Sequence, residues 1–275
     1  MPDIPVLTLF ELADGVFVWL QPGGESGVSN AGAVIDDDGV TIIDTLMVRS
    51  QWEPFVEAVD ALGLPVRRIL LTHAHIDHVG GTRGFPNAAV YGSPQTSQLL
   101  DGTMPVAAYK AFMPAFDAEF DDLAEIGTRP VTHLVTDGAF LTPRIEVMPA
   151  EGHTSGDLLA LVADADVLFA GDLCFFGVTP LAFQGDPALW AEMLTSLPEL
   201  ASRIVPGHGP IGGENEVREL QQYLRACVAG EIPPGPWDAW PEREPRDAIN
   251  IQRARLLAEG RDEMPPAMLH ALGLH

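Results

Sequence analysis

The stretch THAHIDHVGG, Thr72 to Gly81, puts three histidines and an aspartate into the six residues from His73 to His78. The whole 275-residue chain has only eight histidines, so the crowding is local. Neutral imidazoles and carboxylates are both good ligands for divalent cations, and such a cluster reads as a metal site. A polar loop would tolerate the same residues, so the rest of the chain must supply further ligands. His153 in EGHTSGD, Asp172 in FAGDLC and His208 in VPGHGP do so. Each sits beside glycine where an apolar run ends, and glycine lets the backbone turn sharply and leaves room around a cation. One such histidine would be an ordinary loop residue. Five, with Asp77 and Asp172, are expected to converge on one edge of a sheet.

The elements needed to place them can be read along the chain. VLTLF, GVFVWLQ and AGAVIDDDGVTIIDT are successive strands, with DDDG as a turn. Ser50 to Gly63 has apolar residues at helical spacing and a closing glycine, so it is an amphipathic helix. RRILLT is a short buried strand that runs directly into the histidine cluster. AAVYGS is a strand and SPQTSQLL a helix. VTHLVTDGAFLTP, IEVMPAEGH and DLLALVADADVLFAGD are strands joined by turns, followed by a helix over PALWAEMLTSLPELA and a strand RIVPGHG. Residues 214–229 form a helix, a proline-rich connector follows, and RDAINIQRARLLAEG is a last amphipathic helix. Strands alternating with helices give an α/β or α+β class. We expect one domain over residues 1–229, with an apolar insert at about 102–128, and then a C-terminal arm and helix over 230–275.

Composition limits the partners. The net charge is −24, from 39 acidic and 15 basic residues, and Lys110 is the one lysine. Such a field repels phosphate backbones and anionic lipid, which argues against nucleic-acid and membrane-surface roles and leaves a small, neutral or mildly charged substrate. Two cysteines, Cys174 and Cys227, cannot build a disulfide framework. The N-terminal residues lack a basic segment followed by an apolar one, and no apolar run reaches membrane-span length, so a cytoplasmic location is expected.

Taken in order, HAHIDH, GHTSGD, AGD and PGHG resemble the metallo-β-lactamase superfamily, over roughly residues 15–212. The resemblance implies an αββα sandwich of two mixed β-sheets flanked by helices, with a metal site at one edge. It implies that His73, His75 and His153 hold one cation, that Asp77, His78 and His208 hold a second, and that Asp172 bridges both. Asp44, ending TIIDT, resembles the family's buried aspartate that orients the ligand loop. The residue types suit the chemistry. Two cations roughly 3.5–4 Å apart lower the pKa of a shared water and give hydroxide at neutral pH, which attacks a carbonyl. Asp77 would ligate and could also orient the nucleophile or pass a proton to the leaving group. Zinc fits first; a nitrogen and oxygen ligand set also accepts iron or manganese.

Branches can be weighed by what is absent. The diiron oxygen-reducing branch has a glutamate where this chain has His75. The RNA-processing branches carry basic surfaces. Glutathione thioesterases grip their substrate with basic residues of C-terminal helices, to which Arg253 and Arg255 do not align. A cysteine ligand of some lactamases is replaced by Asp77. Hydrolysis of an ester, thioester, lactone or β-lactam-like carbonyl remains. Beside it stand a mono-iron persulfide dioxygenase, which uses the first triad alone, and a non-catalytic binding member, which normally loses ligands.

Specificity should come from between the motifs. Phe112, Met113, Phe116 and Phe120 recur at spacings that let several share one helix face. That face, with CFFGVTPLAFQGD, either packs as core or walls the metal site; in the second case the substrate has an apolar body. Trp237 and Trp240 on the arm suit either burial or a homodimer contact. His133, His270, Cys174 and Cys227 are expected to be structural or peripheral.

Overall fold

Strand alternation decides how the layers stack. In the computed structural model, which describes residues 7–274, twelve strands form two sheets. The first runs in the order β1 (Leu9–Ala13), β2 (Val16–Trp19), β3 (Ala31–Asp36), β4 (Gly39–Ile43), β5 (Val66–Leu70), β6 (Ala89–Gly92), β7 (His133–Leu134). Its first four strands are antiparallel neighbours, and β4 to β7 are parallel. The second contains β8 (Ala139–Phe140), β9 (Ile145–Ala150), β10 (Asp157–Val162), β11 (Val167–Phe175) and β12 (Arg203–His208), in the order β12-β11-β10-β9-β8. Only β11 and β12 pair in parallel there. Val6, where the first expected strand begins, and His275 lie outside the described residues.

Because side chains alternate along a strand, one sheet feeds two cores. Val16, Val18, Val34 and Ile43 of the first sheet meet Leu158, Ala160, Val162 and Phe169 of the second in an inner apolar layer. Leu159, Leu161 and Leu168 point the other way. They pack under α6 (Pro187–Met193), α7 (Leu197–Leu200) and α8 (Glu214–Ala229). On the opposite surface Val40, Ile42 and Ile69 pack under Trp52, Phe55 and Val59 of α1 (Arg49–Asp60). Helix, sheet, sheet, helix is the layering expected from the sequence.

The remaining helices are α2 (Ile76–Val79), α3 (Pro94–Leu100), α4 (Val106–Phe112), α5 (Asp117–Ile126), α9 (Arg243–Ala258) and α10 (Pro266–Ala271). One difference from the sequence reading lies in a helix length. The helix expected over PALWAEMLTSLPELA is broken at residues 194–196 into α6 and α7, with Pro198 in the first turn of α7, and the insert holds two helices, α4 and α5, parted at Pro114. Proline has no N–H to donate and disfavours helical geometry in the residue before it, so a helix restarts there. Trp237 and Trp240 are buried against Tyr223 of α8. Among the described residues no helix is long and apolar enough to cross a membrane.

Candidate metal centre

Strand ends deliver the candidate ligands to one edge. β5 ends at Leu70 and the chain passes through Thr72, His73 and His75 into α2, which carries Asp77 and His78. His153 follows β9, Asp172 lies within β11, and His208 ends β12 beside Phe175. The approach of β11 and β12 needs a glycine. A Cβ on Gly207 would fall 1.9 Å from Asp172 Oδ1.

The structure brings all seven residues together in two groups. His73, His75, His153 and Asp172 form one, and Asp77, His78 and His208 form the other. Within each group the potential ligand atoms lie within 4.8 Å of one another. Asp172 faces both: its Oδ2 is 3.3 Å from His153 Nε2 and 3.7 Å from His73 Nε2, while its Oδ1 is 3.0 Å from His78 Nε2 and 3.5 Å from His208 Nε2. Asp77 Oδ2 is 3.2 Å from His208 Nε2. His75 Nδ1 and His153 Nε2 approach to 2.9 Å.

The outer ring nitrogens are held by the protein, which fixes what the inner ones offer. His78 Nδ1 lies 2.8 Å from Asp44 Oδ2, His75 Nε2 2.9 Å from Gln184 Oε1, and His208 Nδ1 3.1 Å from the Gly24 carbonyl. Each of those oxygens can only accept, so the facing ring nitrogen carries an N–H, and Nε2 of His78 and His208 and Nδ1 of His75 are the nitrogens left to face a cation. Asp44 does more. It also accepts from the Thr72 N–H and hydroxyl at 2.8 and 2.7 Å, so one buried carboxylate sets the start of the ligand loop and one ligand ring. Its φ of 57° is the left-handed strain that this placement requires.

Electrostatics separates the two groups. Burial pushes the His73 and His75 imidazoles down, and it takes His153 to about 3, overcoming the pull of Asp172. These rings are neutral and can ligate. Burial also acts on His78 and His208, but Asp172 and its neighbouring carboxylates outweigh it, raising His78 well above the usual range and His208 to about 9. Burial alone would raise Asp77 and Asp172. His78 and His208 overcome it, holding Asp77 at about 2 and Asp172 well below the carboxylate range. A cation at the second group must therefore displace protons.

The cluster fits metal ions on structural grounds. His73 Nε2, His78 Nε2 and Asp172 Oδ1 are buried and have no hydrogen-bond partner among the described residues. Leaving such atoms unsatisfied is costly, and a cation between them would satisfy them. A model of the metallo-beta-lactamase superfamily matches residues 24–208. The chain belongs to that superfamily. Within it, the chain is 33% identical over 153 residues to the protein YobT of Bacillus subtilis, described as uncharacterized; the match covers 52% of this chain and 60% of that one. A hydroxyacylglutathione hydrolase of Shewanella denitrificans is 29% identical over 161 residues, 57% of this chain and 50% of that one. The matches thus span half to three fifths of these curated relatives. In fold, the chain is similar to a metallo-β-lactamase of Pseudomonas aeruginosa in its mono-zinc form, at a TM-score of 0.61 and 20% identity, over 82% of this chain and 97% of that one. A metallo-β-lactamase from Erythrobacter litoralis gives 0.60 and 20%, over 79% and 95%.

A cleft of about 530 Å³ opens from the ligands. Its lining includes Asp77, His153, Asp172 and His208 on the floor and Met104, Tyr109, Phe112 and Met113 of the insert. Phe116 and Phe120, expected on the same face, are not in the wall. Phe120 is fully buried against Tyr109, and Phe116 is half-buried beside it in the core under α1. Phe183, in the loop after β11, lines the cleft and stacks on His75 at 5.2 Å. Cys174 turns away into the core under α6 and α8, where burial pushes its thiol up. His133 lies on exposed β7, stacked on Tyr91.

The helix over RDAINIQRARLLAEG was readable, but not its task. Arg246 of α9 donates to the Ser26 hydroxyl at 2.7 Å and to the Thr179 carbonyl, and pairs with Glu242, which also accepts from the Ser26 N–H at 3.0 Å. Asn250 bonds Pro180 and Ala182, both at 2.8 Å, and Arg253 bonds the Gly185 carbonyl at 2.7 Å. So α9 fastens two loops, one carrying the Gly24 carbonyl on His208 and the other carrying Gln184 on His75. Gln184 lies in the loop CFFGVTPLAFQGD that the sequence offered as a wall, but its contact with His75 had no signal there, and neither did Tyr109 or the fastening role of these α9 residues. The apolar spacing of the insert and the loop CFFGVTPLAFQGD were the two hints of a wall, and both contribute residues to the cleft lining.

Proposed function

We propose that the protein is a metal-dependent hydrolase of a small-molecule acyl substrate: an ester, thioester, lactone or β-lactam-like compound. The observation that carries this reading is the pair of contiguous ligand groups joined by Asp172. His73, His75 and His153 would hold one divalent cation, and Asp77, His78 and His208 a second, with Asp172 common to both. Zinc is the first candidate, with iron and manganese compatible with the same donors. When bound, such a pair supplies Lewis acidity toward a carbonyl and a water made acidic enough to serve as nucleophile near neutral pH. Asp77, on the cleft floor and ionised, is the residue placed to orient that water and to pass its proton toward the leaving group. Tyr109 lines the same cleft, and its hydroxyl has no hydrogen-bond partner among the described residues. Burial and the Asp77 charge keep the phenol protonated, with a pKa raised to about 12, so it is available to donate to substrate. The apolar wall excludes bulk water from the floor.

A mono-iron dioxygenase would need only the group around His73, His75 and His153. The assembly of Asp77, His78 and His208 beside it favours the two-cation reading, and the completeness of the set disfavours a non-catalytic member. Metal analysis of zinc-reconstituted protein, paired with a panel of ester, thioester, lactone and β-lactam substrates, tests this. About two metals per chain and turnover of one class are expected. One iron per chain with oxygen consumption would replace this reading with the dioxygenase.

A further inference from the structure

Charge tells more about the cleft than size does. Among the described residues lining it, Arg246 is the single arginine or lysine. That guanidinium is not free to meet a ligand: it is 3% exposed, paired to Glu242 and bonded to Ser26 and Thr179. The carboxylates in the cleft, Asp77 and Asp172, sit at its floor among the imidazoles. An anionic substrate body would therefore leave water without gaining a counter-charge, inside a protein whose net charge is −24.

The walls offer the opposite chemistry. Met104 and Phe112 come from the insert, and Met264, Met268 and Leu272 from the C-terminal segment. The two sources meet, since Phe112 packs in the same apolar cluster as Met268 and Leu272. Thioether side chains are flexible and polarisable, so such a wall adapts to an irregular aliphatic body. Apolar character continues to the mouth, where Leu99 and Leu274 line the cleft while 57% and 50% exposed. A single exposed leucine is ordinary; two on the rim of an apolar cleft extend it toward solvent.

We propose that the cleft selects substrates whose body beyond the scissile carbonyl is an uncharged aliphatic chain, and that it rejects the same chain ending in a carboxylate. The carbonyl part of this statement rests on the hydrolase reading. The chain preference is a binding property that stands apart from turnover.

Calorimetric titration of the zinc-reconstituted protein with unbranched alkyl methyl ketones separates the two, because a ketone offers no bond to hydrolyse. Affinity should strengthen by about fourfold per added methylene until the cleft is full, the ratio expected for burying that group. Ketones of equal length with a terminal carboxylate should bind at least about tenfold more weakly, from loss of hydration at that carboxylate. Leu272→Lys should reverse that preference by supplying the missing cation, and Met104→Lys offers the same test from the other wall should the first variant fail to fold. Affinity independent of chain length, or tighter binding of the carboxylated ketone to the unmodified protein, would overturn the proposal. Chain-dependent binding without hydrolysis of any panel substrate would uphold it and count against the hydrolase reading alone.

Discussion

The ligand edge and the cleft wall lie in contact but are built by opposite means. At the edge, His75, His78 and His208 are fixed both by the chain that carries them and by a hydrogen bond from behind, as His78 is by α2 and Asp44. In the wall, the side chains of the insert and of α10 meet in an apolar cluster, with no backing hydrogen bond of the kind that Asp44 gives His78. Apolar contact tolerates exchange of one aliphatic group for another, whereas a ligand displaced by a fraction of an ångström no longer meets its cation. The edge is thus suited to keeping one chemistry and the wall to varying what that chemistry acts upon.

That contrast predicts a descending series of effects. Asp172→Ala, which removes the group common to both ligand sets, should lower turnover by about a thousandfold or more and release metal, because several kcal/mol of charge stabilisation go with it. Metal content and rate would be measured on the same sample; normal turnover with metals retained would remove the contrast at its root. Asp44→Ala touches no substrate, yet should weaken metal affinity or activity by about 10–100-fold through misplacement of His78 and Thr72. Competition with a chelator reads the affinity, and an unchanged value would mean that the ligand ring needs no support from behind.

Effects in the wall should be smaller and should depend on substrate. Tyr109→Phe is expected to cost about tenfold in kcat/KM with thermal stability unchanged, the scale of one lost hydrogen bond to substrate. A loss of stability without a kinetic change would return Tyr109 to the core. Phe112→Ala should raise KM for bulky apolar substrates about tenfold more than for small ones, because it removes cleft surface. The least effect belongs to Phe116→Ala, whose side chain lies outside the wall: KM should move by less than about twofold for either substrate, with any cost appearing in the melting temperature. Equal KM effects at Phe112 and Phe116 would mean the wall is drawn in the wrong place.

The same division explains what the sequence disclosed. Histidine and aspartate beside glycine after an apolar strand have few other uses, so most of the candidate ligands stood out from their neighbours, while the strand pattern alone gave no more than an α/β or α+β class; the sandwich and the place of Asp44 came from the resemblance of the four motifs to the superfamily. The wall carried no comparable mark. Phe112 and Phe120 have equivalent helical spacing, yet one lines the cleft and the other is core, because what decides is which neighbour packs beyond each. Gln184 is an unremarkable loop amide until α9 places it against His75. Pro198 was visible as a residue, but its consequence for the length of the helix over PALWAEMLTSLPELA was underestimated.

The fastening by α9 bears on where the working unit ends. The stretch that matches the superfamily stops at residue 208, after the last of the seven ligands. A chain cut there would keep every candidate ligand while losing the guanidinium of Arg246 and the side chains of Asn250 and Arg253, which tie down the loops behind His208 and His75. Inheritance of the ligands and inheritance of their alignment are therefore separable. A relative that keeps the four motifs but carries a different tail must hold those loops by other means, or work with ligands that are present and poorly aimed.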